Sequence, residues 1–252
     1  MHPPSRFRLI ACEIMYREVC YCLSQSRNIV DVVFMPKGLH DVGECNMSAR
    51  LQAEIDKVDP CQYAAILLGY GLCNNGIRGL HSSLPIVLPR GHDCITLLLG
   101  SKDKYAEYFH NNPGTFFKST GWVERDANPA DNKDSVISQL GMNRTYQEYV
   151  AKYGEENARY LMETLGDWLK NYKKLTYIDT GIGDFQPYKD QTREQATKRG
   201  WEYEEIRGSV GLLLRLLDGF WDASEFLVVP PKRSPTPTFD AEVIGLASRD
   251  DV

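Results

Sequence analysis

Three short apolar runs in this chain each lead into a cysteine, and that pattern narrows the folds open to it. Cys12 ends Phe7-Arg8-Leu9-Ile10-Ala11-Cys12. Cys73 follows the run from Ala64 to Leu72, and Cys94 follows the run from Pro85 to Asp93. Each run has the length and apolar content of a buried strand. In an open parallel sheet the C-terminal ends of the strands share one edge, and ligands bind along it. Three thiols distant in sequence can therefore line one pocket, an arrangement suited to a metal ion or an iron–sulfur cluster.

The rest of the chain fits that sheet. Strands are expected at 7–12, 29–36, 63–69 and 84–89, with helices at 15–24 and 47–57 between them. Strands alternating with helices imply right-handed crossovers and a parallel sheet. A helix from Asp93 to Leu99, a second to about Phe109, a turn at Asn111-Asn112-Pro113-Gly114 and a strand from Thr115 follow. Residues 124–142 read as a polar excursion and about 144–172 as a long helical stretch. A second alternating set has strands at Leu175–Asp179, Glu202–Ile206 and Phe226–Val229, with helices at about 188–199 and 209–219. The expected class is α/β, built of parallel-sheet, Rossmann-like units. Two arrangements stay open: two lobes facing a cleft, or one wide sheet. The two-lobe division is 1–122 as an N-terminal lobe carrying the cysteines, 123–172 as excursion and connection, and 173–252 as a C-terminal lobe whose proline-rich tail wraps a surface.

Composition removes several function classes. A net charge of -5 gives no basic face for nucleic acid. No apolar run is long enough to span a membrane, and the N-terminus lacks a signal-peptide core. The expectation is a cytoplasmic protein acting on a small molecule, bound to neither nucleic acid nor membrane. All seven cysteines lie in the first 94 residues. An odd number without a secretion signal argues against a disulfide scaffold. Cys20 and Cys22 flank Tyr21 in a helix and read as packing residues, while Cys45 and Cys61 border polar loops.

Gly69-Tyr70-Gly71-Leu72-Cys73-Asn74-Asn75-Gly76 is the densest motif. Its glycines and asparagines mark a loop that needs positive φ or close backbone approach. It reads either as a ligand cradle, with Tyr70, Gly71, Asn74 and Asn75 toward substrate and Cys73 as thiolate, or as an ordinary tight turn. It is neither a phosphate-binding nor a dinucleotide fingerprint. In Pro89-Arg90-Gly91-His92-Asp93-Cys94, Cys94 is the expected ligand and Arg90 a substrate contact. Asp93 caps the next helix or moves protons, and the helix start is expected to lower the pKa of Cys94. His92 is an acid–base candidate, and whether it or His40 is a direct metal ligand is left open. Glu13, beside Cys12, completes the catalytic candidates. Asp179 and Asp184 flank a glycine loop and are proton-transfer candidates or plain caps, and the loops after Asp179 and Val229 are expected on the cysteine edge.

These motifs resemble a family of bacterial and archaeal proteins of unknown function. The resemblance runs through Cys12-Glu13, Pro36-Lys37-Gly38-Leu39-His40, the glycine loop around Cys73 and Arg90-Gly91-His92-Asp93-Cys94-Ile95-Thr96. It extends to Asn112-Pro113-Gly114-Thr115 and Phe226-Leu227-Val228-Val229-Pro230-Pro231. Some members are encoded near corrinoid-dependent methyltransferases. The resemblance therefore implies one-carbon or sulfur chemistry, with a corrinoid protein or methyltransferase as partner.

The resulting expectation is a transferase or lyase whose Cys12, Cys73 and Cys94 hold a [4Fe–4S] cluster or zinc, the cluster being favoured. Cysteine-only ligation suits either centre. A non-catalytic carrier of metal or corrinoid is the alternative. Three buried, reduced thiols without metal are the plain outcome.

Overall fold

The computed structural model describes residues 3–42, 44–126, 172–183 and 185–248, with residues 150, 154, 155 and 159. The expected excursion and helical connection therefore fall almost wholly outside the described residues, as does Asp184.

The fold is α/β with two separate main sheets. The first takes the order β2-β1-β3-β4-β8, from β1 (Arg6–Cys12), β2 (Ile29–Met35), β3 (Ala65–Gly69), β4 (Ile86–Pro89) and β8 (Phe226–Val229). β1 to β4 run parallel, with Cys12 level with Met35 and Ala11 level with Gly69. The second sheet is parallel, β5-β6-β7, from β5 (Thr115–Ser119), β6 (Lys174–Asp179) and β7 (Glu202–Arg207). A small antiparallel hairpin pairs β9 (Pro235–Pro237) with β10 (Ile244–Leu246).

Burial explains the strand sequences. Ala65, Ile66, Leu67 and Leu68 of β3 are all buried, as befits a parallel strand covered on both faces. Each such leucine contributes about 1.5–3 kcal/mol by leaving water. Helix α1 (Tyr16–Gln25) follows β1 through a 3-10 turn at Glu13–Met15, and α2 (Glu44–Ile55) precedes β3. Met47, Leu51 and Ile55 of α2 join the same core. β4 leads to α3 (Cys94–Leu99) and α4 (Lys102–Asn111), and β5 to α5 (Thr120–Asp126). Between β6 and β7 lies α6 (Gln186–Arg199), and α7 (Gly211–Asp218) precedes β8. Leu212, Leu213, Leu216 and Leu217 of α7 are buried, where the helix packs on α1, β3 and β4.

The two sheets interleave in sequence. The chain leaves the first sheet after α3, builds the second from 115–119, 174–179 and 202–207, and returns through α7 to place β8 on β4. This corrects one expectation: the strand at 226–229 belongs to the first sheet, not to a C-terminal unit. Likewise β5, within the segment assigned to the N-terminal lobe, pairs in the second sheet. Element order carries no record of pairing partner, and the apolar 226–229 run is used to cover the otherwise open edge of β4.

β8 is also antiparallel, so Phe226 lies opposite Pro89 and Val229 opposite Ile86. The loop after Val229 therefore leaves from the opposite edge to the cysteines, against expectation. The loops after β5, β6 and β7 do meet the first lobe. Gly121 sits on the Ile14 carbonyl, Thr180 Oγ1 donates to Glu18 Oε1 at 2.8 Å, and Ser209 N donates to Leu98 O at 2.8 Å.

Candidate metal centre

Adjacent strands deliver the three thiols. Cys12 is the last residue of β1, Cys73 lies four residues beyond β3, and Cys94 opens α3 five residues beyond β4. The sheet order places these strands side by side. The loops after β3 and β4 are joined by backbone, with Leu72 N donating to Gly91 O at 2.8 Å and Cys73 N to His92 O at 2.9 Å. Gly71 makes this approach feasible: a Cβ there would stand 2.5 Å from Gly91 O and 2.7 Å from Asp93 N.

The loop then turns left-handed for three residues, with φ of 43° at Cys73, 60° at Asn74 and 64° at Asn75. Asparagine tolerates this region, whereas a cysteine there costs about 1–2 kcal/mol. Strain of this kind, held by surrounding structure, concentrates at functional sites.

Cys12, Cys73 and Cys94 are 5, 9 and 9 % exposed. Burial pushes the Cys12 thiol up to about 12 and raises Cys73 and Cys94 further. The Asp93 charge adds to this at Cys73 and Cys94; Cys12 opposes ionisation of both, and Cys73 that of Cys94. Opposing forces are present too. The amides of Gly71 and Cys94 favour the Cys73 thiolate, while the amide of Ile14 and the buried Lys37 favour that of Cys12. Tyr70 is buried, its hydroxyl lacks a hydrogen-bond partner of good geometry among the described residues, and it is within reach of Cys12, whose ionised form it favours. The short α3 was expected to lower Cys94; desolvation outweighs that field.

The thiols are near enough to influence one another's ionisation. Among the described residues no three His, Cys, Asp or Glu side chains are grouped so as to hold a metal ion. Tetrahedral zinc, with Zn–S bonds of about 2.3 Å, would bring its sulfurs within about 3.8 Å of each other. A cluster binds each thiolate to a different iron and keeps them farther apart. A donor set of three cysteines suits either centre chemically.

The remaining expected residues divide. Glu13 Oε1 accepts from Lys37 N at 2.9 Å and Oε2 lies 3.7 Å from Arg125 Nε, so its carboxylate ties the turn after β1 to α5. Asp93 is the α3 cap, accepting from Ile95 N at 2.9 Å and from Tyr105 Oη at 3.2 Å. Burial raises its pKa. His92 gives its carbonyl to the Cys73 loop, but its ring is exposed and lies 6.0 Å from the Tyr105 ring. Asn74 is exposed and Asn75 half-buried. Arg90, expected as a substrate contact, is engaged by the C-terminal segment. Its Nε donates to Ala223 O at 2.9 Å, its Nη1 bonds Ile244 O, and it pairs with Glu242 at 3.1 Å. The guanidinium is committed to clamping the C-terminal hairpin. The His40 side chain lies outside what is described. Asp179 accepts from Gly181 N at 2.8 Å and pairs with Lys189 at 2.6 Å, which is the plain capping role.

Two groups were missed. Glu18 on α1 is 2 % exposed, with Oε1 on Thr180 and Oε2 without a partner among the described residues, and burial raises its pKa. Its signal was its position one helical turn from the buried Cys22, on the apolar stripe of α1. Lys37, buried near Cys12, stands just after β2 on the same edge. Of the other cysteines, Cys22 is buried and Cys20 half-buried, while Cys45 and Cys61 are exposed; all seven are free thiols.

Among the described residues, no helix is long and apolar enough to cross a membrane. No curated protein and no solved structure matches the chain. A family model described as "Protein of unknown function (DUF1638)" matches residues 34–217, a span that contains Cys73, Cys94 and all three strands of the second sheet. The chain belongs to the DUF1638 family.

Proposed function

We propose that this chain is a metal-dependent enzyme in which Cys12, Cys73 and Cys94 hold one [4Fe–4S] cluster, and that it acts in sulfur or methyl transfer on a small molecule. The observation that carries this is the convergence of three buried thiols from the ends of three adjacent strands, one of them held in a left-handed backbone. Three neutral thiols have no need of such a loop. Three thiolates need the positive charge that a bound centre brings.

Held by Cys12, Cys73 and Cys94, such a cluster would supply Lewis-acid chemistry to a substrate. The protein's own groups have distinct tasks beside it. Lys37 and the amides of Ile14, Gly71 and Cys94 hold negative charge on sulfur. The Tyr70 hydroxyl is a hydrogen-bond donor aimed at the same place. α5 from the second lobe closes over the turn after Cys12, where Gly121 rests on Ile14, and excludes water. Glu18, kept toward its protonated form where the lobes meet, is placed to hold a proton.

A non-catalytic carrier would hand its metal across an exposed rim, whereas these thiols are shielded from solvent. The test is anaerobic purification followed by a visible spectrum with iron, sulfide and zinc analysis. Broad absorption at the visible–ultraviolet edge, with iron and sulfide in step with protein, is expected. Colourless protein with stoichiometric zinc would overturn the cluster, and metal-free protein after cluster reconstitution would overturn the centre altogether.

A further inference from the structure

A cavity of about 740 Å³ lies away from the cysteines, near the beginnings of β3 and β4. Its walls come from the end of α2, the segment before β4 and the C-terminal tail. The volume falls within the roughly 300–1,000 Å³ of small-molecule sites. The proposed function makes no use of it.

Its lining has a definite chemistry. Arg78, His81 and Lys232 supply positive or protonatable groups, against one acid, Asp56, which already accepts from Gln52 Nε2 at 2.7 Å. Ser82, Ser83 and Thr236 add hydroxyls. Ser82 Oγ accepts from Leu84 N at 3.0 Å, which leaves its own hydrogen to donate. His81 Nδ1 lies 3.1 Å from Gly79 O, a contact that places a proton on Nδ1, so Nε2 donates to an anion in the imidazolium form. Ile55 and Val58 form an apolar side. Lys232 is fixed at the rim, with a left-handed φ of 64° and its backbone N donating to Ser82 O at 2.9 Å. These donors come from two chain segments and line the cavity beside an apolar wall.

We propose that this cavity is a second binding site, for a small organic phosphate whose phosphoryl group lies among Arg78, His81, Lys232 and the hydroxyls. A tetrahedral group with several acceptor oxygens uses point-charge and hydroxyl donors from several directions. A planar carboxylate would leave most of them unmatched. The Arg90 clamp gives the C-terminal tail a reason to be held: Lys232 and Thr236 are walls of the site.

The test is calorimetric titration of the full chain with glycerol 1-phosphate, inorganic phosphate and succinate. Saturable binding of glycerol 1-phosphate, tighter than that of inorganic phosphate or succinate, is expected. Lys232→Gln and His81→Gln should each weaken it about tenfold, the loss of one charge-assisted contact. Both side chains are exposed, so the variants should fold as the parent does. Cys73→Ala should leave this binding intact, which separates the site from the metal centre. Absence of saturable phosphate binding would overturn the proposal. So would succinate binding better than either phosphate, or phosphate binding that both variants leave unchanged.

Discussion

Gly71→Ala tests the claim that backbone contact between two loops sets the positions of Cys73 and Cys94. Gly71 is not among the residues with positive φ, so alanine meets no conformational penalty there. Given room, it would stabilise the protein by about 0.4–1 kcal/mol through the unfolded chain. Room is what it lacks, because the new Cβ stands 2.5 Å from Gly91 O and 2.7 Å from Asp93 N, both backbone atoms. An ordinary carbon–oxygen contact is about 3.3 Å, so the loops must part by roughly 0.8 Å. That separation stretches the 2.8 Å and 2.9 Å bonds from Leu72 and Cys73 past useful length. Two hydrogen bonds at about 1 kcal/mol each, with local overpacking, outweigh the entropic gain and leave a net cost of about 2–4 kcal/mol. For a chain of this size that is a fall of about 5–12 °C in Tm. Urea and thermal unfolding measure it, and metal content should fall as well. Gly121→Ala should cost more, since its Cβ would lie only 1.6 Å from Ile14 O. A Gly71→Ala protein within about 0.5 kcal/mol of the parent, with full metal content, would refute the reasoning.

Cys73→Ala should abolish metal binding, whereas Cys22→Ala should keep it at a stability cost of about 1 kcal/mol. His92→Ala should keep it too, because that ring is exposed, and the reverse pattern by metal analysis would mean that the wrong cysteines were chosen. Glu18→Gln should be more stable than the parent at neutral pH. Burial raises the native pKa above its ordinary 4.5, so folding opposes ionisation and the parent loses stability as pH rises from that value. The gap in urea midpoints should widen from pH 4 upward, and a pH-independent gap would count against it. Arg90→Ala should free the hairpin and cost about 2–4 kcal/mol, read as new protease cuts between residues 230 and 248. Unchanged protease resistance would show that the clamp is not needed.

The parts legible in the sequence were those set by local pattern. The continuous apolar runs of β3 and β4 announced strands covered on both faces, and strand ends on one edge then brought three cysteines together. Asp93 before an apolar helix read as a cap and is one. What the sequence hid depends on contacts made far along the chain. Arg90 sits in a site-like motif, yet its partners are at 223, 226, 242 and 244. The run 226–229 looked like the close of a second alternating unit, but strand direction and partner are tertiary choices that a four-residue run does not encode. For Cys94 the helix start was the visible feature, while the degree of desolvation that outweighs it was not.

The interleaved topology and the state of the thiols follow from one another. Because the chain leaves the first sheet after α3 and returns at α7, the second lobe is tied to the first at both ends and rests on the cysteine edge. Tyr105 reaches Asp93, Gly121 rests on Ile14 beside Cys12, and Thr180 meets Glu18. These contacts remove water from the site. Without water, carboxyl and thiol groups both drift toward their neutral forms, as Glu18, Asp93 and all three cysteines do. A site of neutral thiols carries no thiolate charge of its own. It becomes a strong ligand set only when a cationic centre displaces the thiol protons together, and the lysine, tyrosine and amides already turned toward the sulfurs lower the cost of that step.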